Sequence, residues 1–252
     1  MFVVTGGGSG IGKALAAALA QLNKQVLIVG RREQALKESA GHSPLIDYVC
    51  ADVSTHEGRQ LVQNALKNVS KIDALIHNAG IIEPIVSLAT IDEVAFRQVM
   101  ATNLEAPLFL SQLLQNKLVD GRVLHIGSGA AYFPVTGWAA YCVSKAALSM
   151  LTRCWQLECR QIAFASVMPG IIDTNMQAEI RVASFMDADK ADFFKRLYRE
   201  KHLLMPATVA LFLCWLLINI DKTQYVSKEW DIYDETHHHA WLVSPHVVPT
   251  LE

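Results

Sequence analysis

The sequence predicts an α/β fold of three layers, with helices on both faces of a doubly wound, mostly parallel, seven-stranded sheet. Three observations predict it. Short apolar runs alternate with longer segments of helical period, the pattern of repeated strand–helix–strand units. The first run passes directly into a glycine-rich turn, Thr5-Gly6-Gly7-Gly8-Ser9-Gly10-Ile11-Gly12, that opens a helical stretch. Of the 252 residues 52% are apolar and only 18% charged, as a parallel sheet buried on both faces requires.

Strands are expected, in order, at Phe2–Thr5, Val26–Val29, Ile46–Cys50, Ala74–His77, Val123–Ile126, Phe164–Val167 and Tyr225–Ile232. Helical stretches lie between them at Ile11–Leu22, Glu33–Glu38, His56–Val69, Ile91–Leu118 with a break near Asn103, Tyr141–Arg160 and Thr208–Ile218. Residues 178–202 form a charged amphipathic insert containing KADFFKRLYREKH. No internal repeat, low-complexity tract or long Pro/Gly linker divides the chain, so one domain over residues 1–234 and an irregular tail over 235–252 are expected.

A mean hydropathy of +0.24 excludes disorder and raises the question of a membrane span. The longest apolar stretch, PATVALFLCWLLINID from Pro206 to Asp221, is interrupted by Thr208 and Asn219. A span needs about 20 mainly apolar residues, so this reads as a buried helix with Pro206 in its first turn. Phe2-Val3-Val4 runs straight into glycines with no basic and apolar leader, so no secretory signal is read. The five cysteines (Cys50, Cys142, Cys154, Cys159, Cys214) are scattered and read as reduced thiols of a cytoplasmic protein. With 22 Lys plus Arg against 24 Asp plus Glu, the net charge of −2 offers no footprint for nucleic acid or anionic membrane.

The glycine turn carries the chemistry of a Rossmann-type dinucleotide site. Gly6 permits the tight turn, Gly10 lets backbone approach a pyrophosphate, and Gly12 allows close helix–sheet packing, with the phosphates at the helix N-terminus. Taken alone, the motif is equally an ordinary glycine turn. The second strand ends in Gly30-Arg31-Arg32, with no carboxylate before Glu33. An acid there would suit a ribose 2′-hydroxyl, whereas guanidinium groups suit a 2′-phosphate. NADP(H) is therefore favoured, with Arg31 the first choice of ligand and Arg32 the second; NAD(H) is the alternative, and Arg32 has the plainer reading of solvating the second helix.

Tyr141 and Lys145 lie four apart in AAYCVSKAAL and share a helix face. A tyrosine of ordinary pKa about 10 is a poor proton shuttle at neutral pH, and a nearby ammonium favours its phenolate. Ser128, in HIGSGAA directly after a strand, can bring a hydroxyl beside the phenol at the C-terminal edge of the sheet.

Together these residues resemble the short-chain dehydrogenase/reductase superfamily, of the single-domain type, over nearly the whole chain. The resemblance rests on TGGGSGIG, the Asp52-Val53 pair, His77-Asn78-Ala79-Gly80, Asn103, Ser128, the Tyr141/Lys145 pair, and Pro169-Gly170 followed by Ile172-Asp173-Thr174. It implies that Tyr141 protonates a carbonyl oxygen, Ser128 orients it, Lys145 holds the nicotinamide ribose, and Asn103 helps hold a proton-relay water. It also implies cofactor contacts from Ser9 and Ile11 in the glycine loop, Asp52 and Val53 at the adenine, Asn78, Ala79 and Gly80 at the ribose side, and Pro169, Gly170, Ile172 and Thr174 at the carboxamide. The family usually has Asn where His77 sits, and His77 reads as a structural substitution. Relatives that prefer NADP often carry a basic residue at the position of Ser9.

Within the family the chain is most similar to the sepiapterin reductase and benzil reductase branch, through GWAAYC at 137–142, PGIIDTNMQ at 169–177 and Trp230-Asp231-Ile232-Tyr233-Asp234. Asp231 would match a pterin-anchoring aspartate, and reads equally as a strand-end acid. Trp138, Phe133 and Met176 would give an apolar substrate pocket or belong to the core, and the 178–202 insert would be the substrate lid. The expected activity is NADPH-dependent reduction of a ketone or dicarbonyl, benzil-like or pterin-like. An NAD-dependent alcohol dehydrogenase and a non-catalytic NADP(H) sensor are the alternatives. A homodimer or homotetramer using the Tyr141 helix is implied. His237-His238-His239 in the tail cannot easily converge on one metal, so no metal site is expected; a solvated tail or subunit-contact arm is the plainer reading. The closing Leu251-Glu252 reads as a cloning remnant.

Overall fold

The apolar runs pair side by side and the intervening segments cover them. In chain order the elements of this computed structural model are β1 (Phe2–Thr5), α1 (Gly10–Gln21), β2 (Val26–Gly30), α2 (Glu33–Ala40), β3 (Ile46–Cys50), α3 (His56–Ala65), β4 (Ala74–His77), α4 (Glu93–Met100), α5 (Ala106–Leu114), β5 (Arg122–Ile126), α6 (Ala139–Glu158), β6 (Ala163–Met168), α7 (Asn175–Val182), α8 (Ala188–Arg199), α9 (Pro206–Ile218), α10 (Lys222–Tyr225) and β7 (Trp230–Asp231). The structure describes residues 1–250; Leu251-Glu252 lie outside them. The described residues form a sheet of seven parallel strands in the order β3-β2-β1-β4-β5-β6-β7. Strand order reverses between β1 and β4, so a crevice opens at their C-terminal ends.

Alternation along each strand supplies both cores. Val4, Ile28, Ile76, Leu124 and Ala165 face α1 and α9, packing on Leu15, Leu19, Phe212 and Leu216. Val3, Leu27, Leu75, Val123 and Phe164 face the opposite way, onto Val62 and Leu66 near α3 and Leu110 and Leu114 of α5. Helix α9 is apolar all round because it is buried nearly all round. No helix among the described residues is long and apolar enough to cross a membrane.

Two of the expected elements change and a third holds. The last strand is only Trp230–Asp231, not Tyr225–Ile232. Asp221 accepts a hydrogen bond from Gln224 N at 3.0 Å and starts a helical turn that ends at Tyr225, whose hydroxyl donates to Val123 O at 3.0 Å. The 178–202 insert is two helices rather than one stretch, because Thr174 caps α7 and Asp187 caps α8. The long segment 91–118 breaks where expected. Asp92 caps α4, a π-helical turn spans Ala101–Glu105, and α5 restarts with Pro107 in its first turn.

The tail, expected to be solvated or a subunit-contact arm, is tied to the core at His237 and Trp241, which are buried, while most of its other described residues are exposed. His237 is only 6% exposed, stacked on Phe212 of α9 at 5.1 Å. Its Nδ1 accepts from Trp241 Nε1 at 2.8 Å, so Nε2 is the protonated nitrogen, and it donates to Asp231 O at 3.0 Å.

Candidate active site

The crevice at the β1/β4 reversal is built first from glycine. Gly6 and Gly10 have φ of +69° and +52°, the left-handed region that favours glycine. A Cβ on Gly12 would stand 2.4 Å from Gly6 O and 2.6 Å from Asn78 Nδ2. Asn78 Nδ2 donates to Thr5 O at 2.9 Å and Gly6 O at 3.2 Å. The backbone N–H groups of Asn78 and Ala79 each donate to Thr5 Oγ1 at 3.0 Å. These bonds lock the loop after β4 to the loop after β1. Ser9, at the N-cap of α1, gives its first turn no side-chain bond among the described residues, which leaves the amides of Ile11 and Gly12 for an outside acceptor, Lys13 N being the first to bond within the helix. The cradle therefore fits a dinucleotide pyrophosphate by its shape and its donors.

Flanking residues close around this loop. Arg32 donates to Ser9 Oγ at 3.2 Å, so it lies over the glycine turn. Arg31 instead faces Asp52, its guanidinium 4.0 Å from the carboxylate. Asp52 Oδ1 also accepts from Ser54 N at 3.0 Å and Ser54 Oγ at 2.7 Å, which fixes the turn carrying the buried Val53. On the other side a Cβ at Gly10 would approach Thr174 Cγ2 to 3.1 Å, bringing the Pro169–Thr174 segment over the loop. Gly170 in that segment has φ +83°, Ile171 N donates to Tyr233 OH at 3.1 Å, and Ile172 bridges Leu204.

The polar groups converge at the ends of β4 and β5. Asn103 sits in the π turn, a local widening common at functional sites. Its Oδ1 accepts from Ile81 N at 2.9 Å; its Nδ2 donates to Ile81 O at 2.9 Å and Ser144 Oγ at 3.0 Å. Ser144 in turn donates to Tyr141 O at 2.8 Å. Lys145 Nζ donates to Ile126 O at 2.7 Å and lies 5.6 Å from the Tyr141 ring centroid. A Cβ on Gly80 would sit 3.4 Å from Asn103 Oδ1 and 3.7 Å from Lys145 Nζ, so Gly80 joins the two. Ser128 Oγ accepts from Ala130 N at 3.2 Å, and its hydroxyl acts on the Tyr141 phenol by lowering its pKa.

Burial sets the protonation of this group. It pushes the Tyr141 phenol up to about 12, with the Ser128 hydrogen bond acting in the opposite direction. This differs from the expectation that the Lys145 ammonium governs the phenol: Tyr141 is only 7% exposed, and desolvation of its phenolate is the larger effect. Burial also brings the Lys145 ammonium down to about 8.

Above the phenol lies an apolar cap. Trp138 packs edge-on to Tyr141 at 5.9 Å and stacks on Phe194 of α8 at 5.5 Å. Ile82, Ala130 and Ile180 complete the buried cluster, with Met176, Met186 and Phe193 against it. The insert thus does reach the Tyr141 site, through α7 and α8. Beside it a cleft of about 440 Å³ is lined by Leu88, Pro134, Val135, Gly137, Ala139 and Phe185, among others. Phe133 is 72% exposed and lies outside the buried cluster. Asp231 stands at the end of β7 with its Oδ1 accepting from Tyr233 N at 3.0 Å; its carboxylate closes its own turn.

Compared with known protein families, residues 1–184 match the short chain dehydrogenase family. The chain belongs to the short-chain dehydrogenase/reductase family. It is 34% identical over 221 residues to an uncharacterized oxidoreductase of Saccharomyces cerevisiae, covering 83% of this chain and 87% of that one. It is 32% identical over 231 residues to a benzil reductase ((S)-benzoin forming) of Bacillus subtilis, covering 86% and 93%. A crystal structure of a Saccharomyces cerevisiae short chain dehydrogenase/reductase superposes with a TM-score of 0.87 at 30% identity, covering 93% of this chain and 96% of that one. The chain is thus a short-chain oxidoreductase close to the benzil reductase branch.

Against the short-chain dehydrogenase pattern, the substitution at His77 has a structural explanation. His77 is buried, with Nε2 paired to Ser111 Oγ at 2.9 Å. Its cross-strand partner is His125, ring to ring at 5.2 Å, and His125 Nδ1 meets Thr152 Oγ1 at 2.7 Å. Burial holds His77 well below its ordinary pKa, and burial followed by the Lys145 charge holds His125 at about 3. Two neutral imidazoles therefore fill this part of the sheet beneath the site. Sequence reasoning missed His125, although a polar residue in the fifth strand opposite His77 was a visible signal. It also assigned no role to Ser144, which links Asn103 to the Tyr141 backbone, or to Tyr233, whose hydroxyl accepts from Ile171 N. No group of histidine, cysteine and carboxylate side chains suited to a metal occurs among the described residues.

Proposed function

We propose that this short-chain oxidoreductase is an NADPH-dependent carbonyl reductase acting on a ketone or dicarbonyl. The observation that carries the reading is the placement of Tyr141, buried beneath the apolar cap with Lys145 Nζ 5.6 Å from its ring and with the Ser128 hydroxyl lowering a phenol pKa that burial raises to about 12. A phenol so placed can give its proton to an oxygen where a carbonyl becomes an alcohol.

When bound, NADPH supplies the hydride. Gly6, Ser9, Gly10, Ile11 and Gly12 would hold its pyrophosphate, Arg32 and Arg31 its 2′-phosphate, Asp52 and Val53 the adenine, and Asn78, Ala79 and Gly80 the ribose side. Lys145 would hold the nicotinamide ribose, and Pro169, Gly170, Ile172 and Thr174 the carboxamide. Ser128 Oγ already accepts from Ala130 N, so its own hydrogen is free to be donated to the carbonyl oxygen. Tyr141 then gives that oxygen its proton, a contribution of about 10²–10⁴ in rate. Asn103 holds the turn beneath by its bonds to Ile81 and Ser144.

The apolar, aromatic cap of Trp138, Phe194 and Met176 and the likeness to the Bacillus subtilis benzil reductase support an aryl ketone or diketone over a pterin. Asp231, already engaged by its own turn, gives a pterin ring little support. A homodimer or homotetramer through α6 is part of the reading. Val143, Met150 and Leu157 recur at seven-residue spacing on that helix and are 50%, 54% and 72% exposed, an apolar stripe suited to a second copy. The free cysteines agree with a cytoplasmic location.

The test is NADPH absorbance across a panel of mono- and diketones. Turnover with at least one diaryl dicarbonyl is expected. Tyr141→Phe should lose about 10²-fold or more in kcat while binding NADPH as the parent does. Full turnover in that variant, or no turnover of any carbonyl despite tight NADPH binding, would overturn the proposal.

A further inference from the structure

Ser128 sits in a short loop, Gly127 to Phe133, whose two sides are tied to the far edge of the sheet. On one side Gly127 N donates to Val167 O of β6 at 2.8 Å. A Cβ on Gly127 would lie 3.0 Å from that oxygen and 3.3 Å from Glu229 Oε1, so Glu229 fills the space a side chain would need. On the other side Ser128 caps a 3₁₀ turn over Gly129–Ala131. That turn ends at Tyr132, whose N–H donates to Gly129 O at 2.9 Å. The Tyr132 hydroxyl donates to Glu229 Oε2 in a short hydrogen bond and lies 2.9 Å from Ser149 Oγ of α6. The buried Ser166 of β6 donates to Glu229 Oε1 at 2.7 Å, and Arg153 of α6 reaches Ser149 Oγ at 3.4 Å.

One carboxylate, just before β7, therefore holds the Ser128 loop against β6 and α6. Both of its oxygens are used, one toward the strand and one toward the loop, and hydrogen bonds to a charged acceptor are about twice as strong as neutral ones. Glu229 meets Tyr132, Ser166 and the space beside Gly127 rather than Ser128, Tyr141 or Lys145, so any effect on chemistry must pass through the loop. We infer that Glu229 and Tyr132 are positioning residues for Ser128, bracing its hydroxyl at the site where the carbonyl oxygen is held. The inference rests on the proposed role of Ser128 and adds two residues to the reaction that stand outside its motifs.

The experiment uses the full chain, NADPH and the best diketone from the panel. Ser128→Ala first tests the underlying reading: if it leaves kcat unchanged, the role of Ser128 fails, whatever Glu229 does. Given a loss there, Glu229→Ala and Tyr132→Phe should each lower kcat about tenfold, since small misplacements at a reacting centre cost 10²-fold or less. NADPH affinity should stay within twofold, roughly the noise of such a comparison. Two cycles then separate positioning from general packing. In the Ser128→Ala background Glu229→Ala should change kcat less than about twofold, and Tyr132→Phe/Glu229→Ala should lose no more than Glu229→Ala alone. Equal losses with and without the Ser128 hydroxyl, additive losses from the pair, or no loss at all would overturn the inference. Where Ser128→Ala turns over too slowly to measure, Ser128→Thr, which keeps a hydroxyl, takes its place in the first cycle.

Discussion

Gly12→Ala sets two effects against each other, and the structure says which wins. Alanine is the better helix former by about 1 kcal/mol in a helix interior, less in a first turn such as this. Against that gain, the new Cβ would lie 2.4 Å from Gly6 O, 2.6 Å from Asn78 Nδ2 and 2.9 Å from Gly6 C. The first distance is about 1 Å short of ordinary contact. None of these atoms can swing aside, because two are backbone and the third is bonded to Thr5 O and Gly6 O. Overpacking of this kind costs about 1–3 kcal/mol, and each of the two hydrogen bonds displaced adds about 1 kcal/mol. The net penalty is about 2–4 kcal/mol, centred on the cradle. NADPH binding followed by quenching of protein fluorescence should weaken by about 30-fold or more, at about 1.4 kcal/mol per tenfold. The melting temperature should fall by several degrees, at about 2–4 °C per kcal/mol for a chain this size. Gly129→Ala is the control, since its Cβ would meet nothing within 4 Å. Binding by Gly12→Ala within about twofold of the parent, with an unchanged melting curve, would refute the steric argument and the cradle with it.

Three further outcomes follow from named contacts. Arg32→Ala should weaken NADPH by about 10- to 100-fold, the worth of one charge-assisted contact, and leave NADH unchanged. Because Arg31 is drawn toward Asp52, Arg31→Ala should cost less; paired isothermal titrations with the two cofactors check both. For pH, His125 has an ordinary value of 6.5 that folding lowers to about 3. Below pH 6.5 the unfolded chain takes up a proton that the folded chain refuses, so stability falls as pH falls through that window. By pH 5 the loss from His125 alone is about 2 kcal/mol, and His77 adds in the same direction. Urea unfolding between pH 7 and 5 should show it, with a shallower slope in His125→Asn. Finally, the proposed homodimer or homotetramer should appear in light scattering of the parent chain, and Met150→Glu or Leu157→Glu on the exposed stripe of α6 should give a monomer without disturbing the fold; a monomeric parent would refute the proposed oligomer.

Much of the fold was legible because burial in a parallel sheet writes itself into composition. Val26-Leu27-Ile28-Val29 has no polar face since α1 and α2 cover one side and the α3–α5 layer the other. A break near Asn103 was expected, though not that it is a π turn, and the shared face of Tyr141 and Lys145 was legible because helix periodicity decides which side chains meet. What failed had a common cause. Tyr225–Ile232 looked like a strand by its apolar residues, but Asp221 caps a turn there, and a cap is a single atom that periodicity cannot weigh. The histidine tail looked solvated because three imidazoles are polar as a composition. In the fold His237 is a neutral ring with one donor and one acceptor, both satisfied, and its faces belong to Phe212 and its neighbours.

The same limit bears on the chemistry. Read along the chain, Lys145 four residues from Tyr141 argues for a lowered phenol pKa, because spacing reports that the charge is near. Spacing does not report how much water is excluded from both groups. The cap formed by Trp138 and α8 helps to exclude that water, and burial is the largest influence on the phenol, raising its pKa. An element that sets the phenol's acidity is therefore the insert over the site, which has none of the family's motifs. A variant such as Phe194→Ala that loosened this cap would admit water and lower the phenol pKa. The alkaline limb of the kcat pH profile should then move to lower pH, with Ser128, Tyr141, Lys145 and Asn103 all unchanged; an unmoved limb would refute the role of the cap.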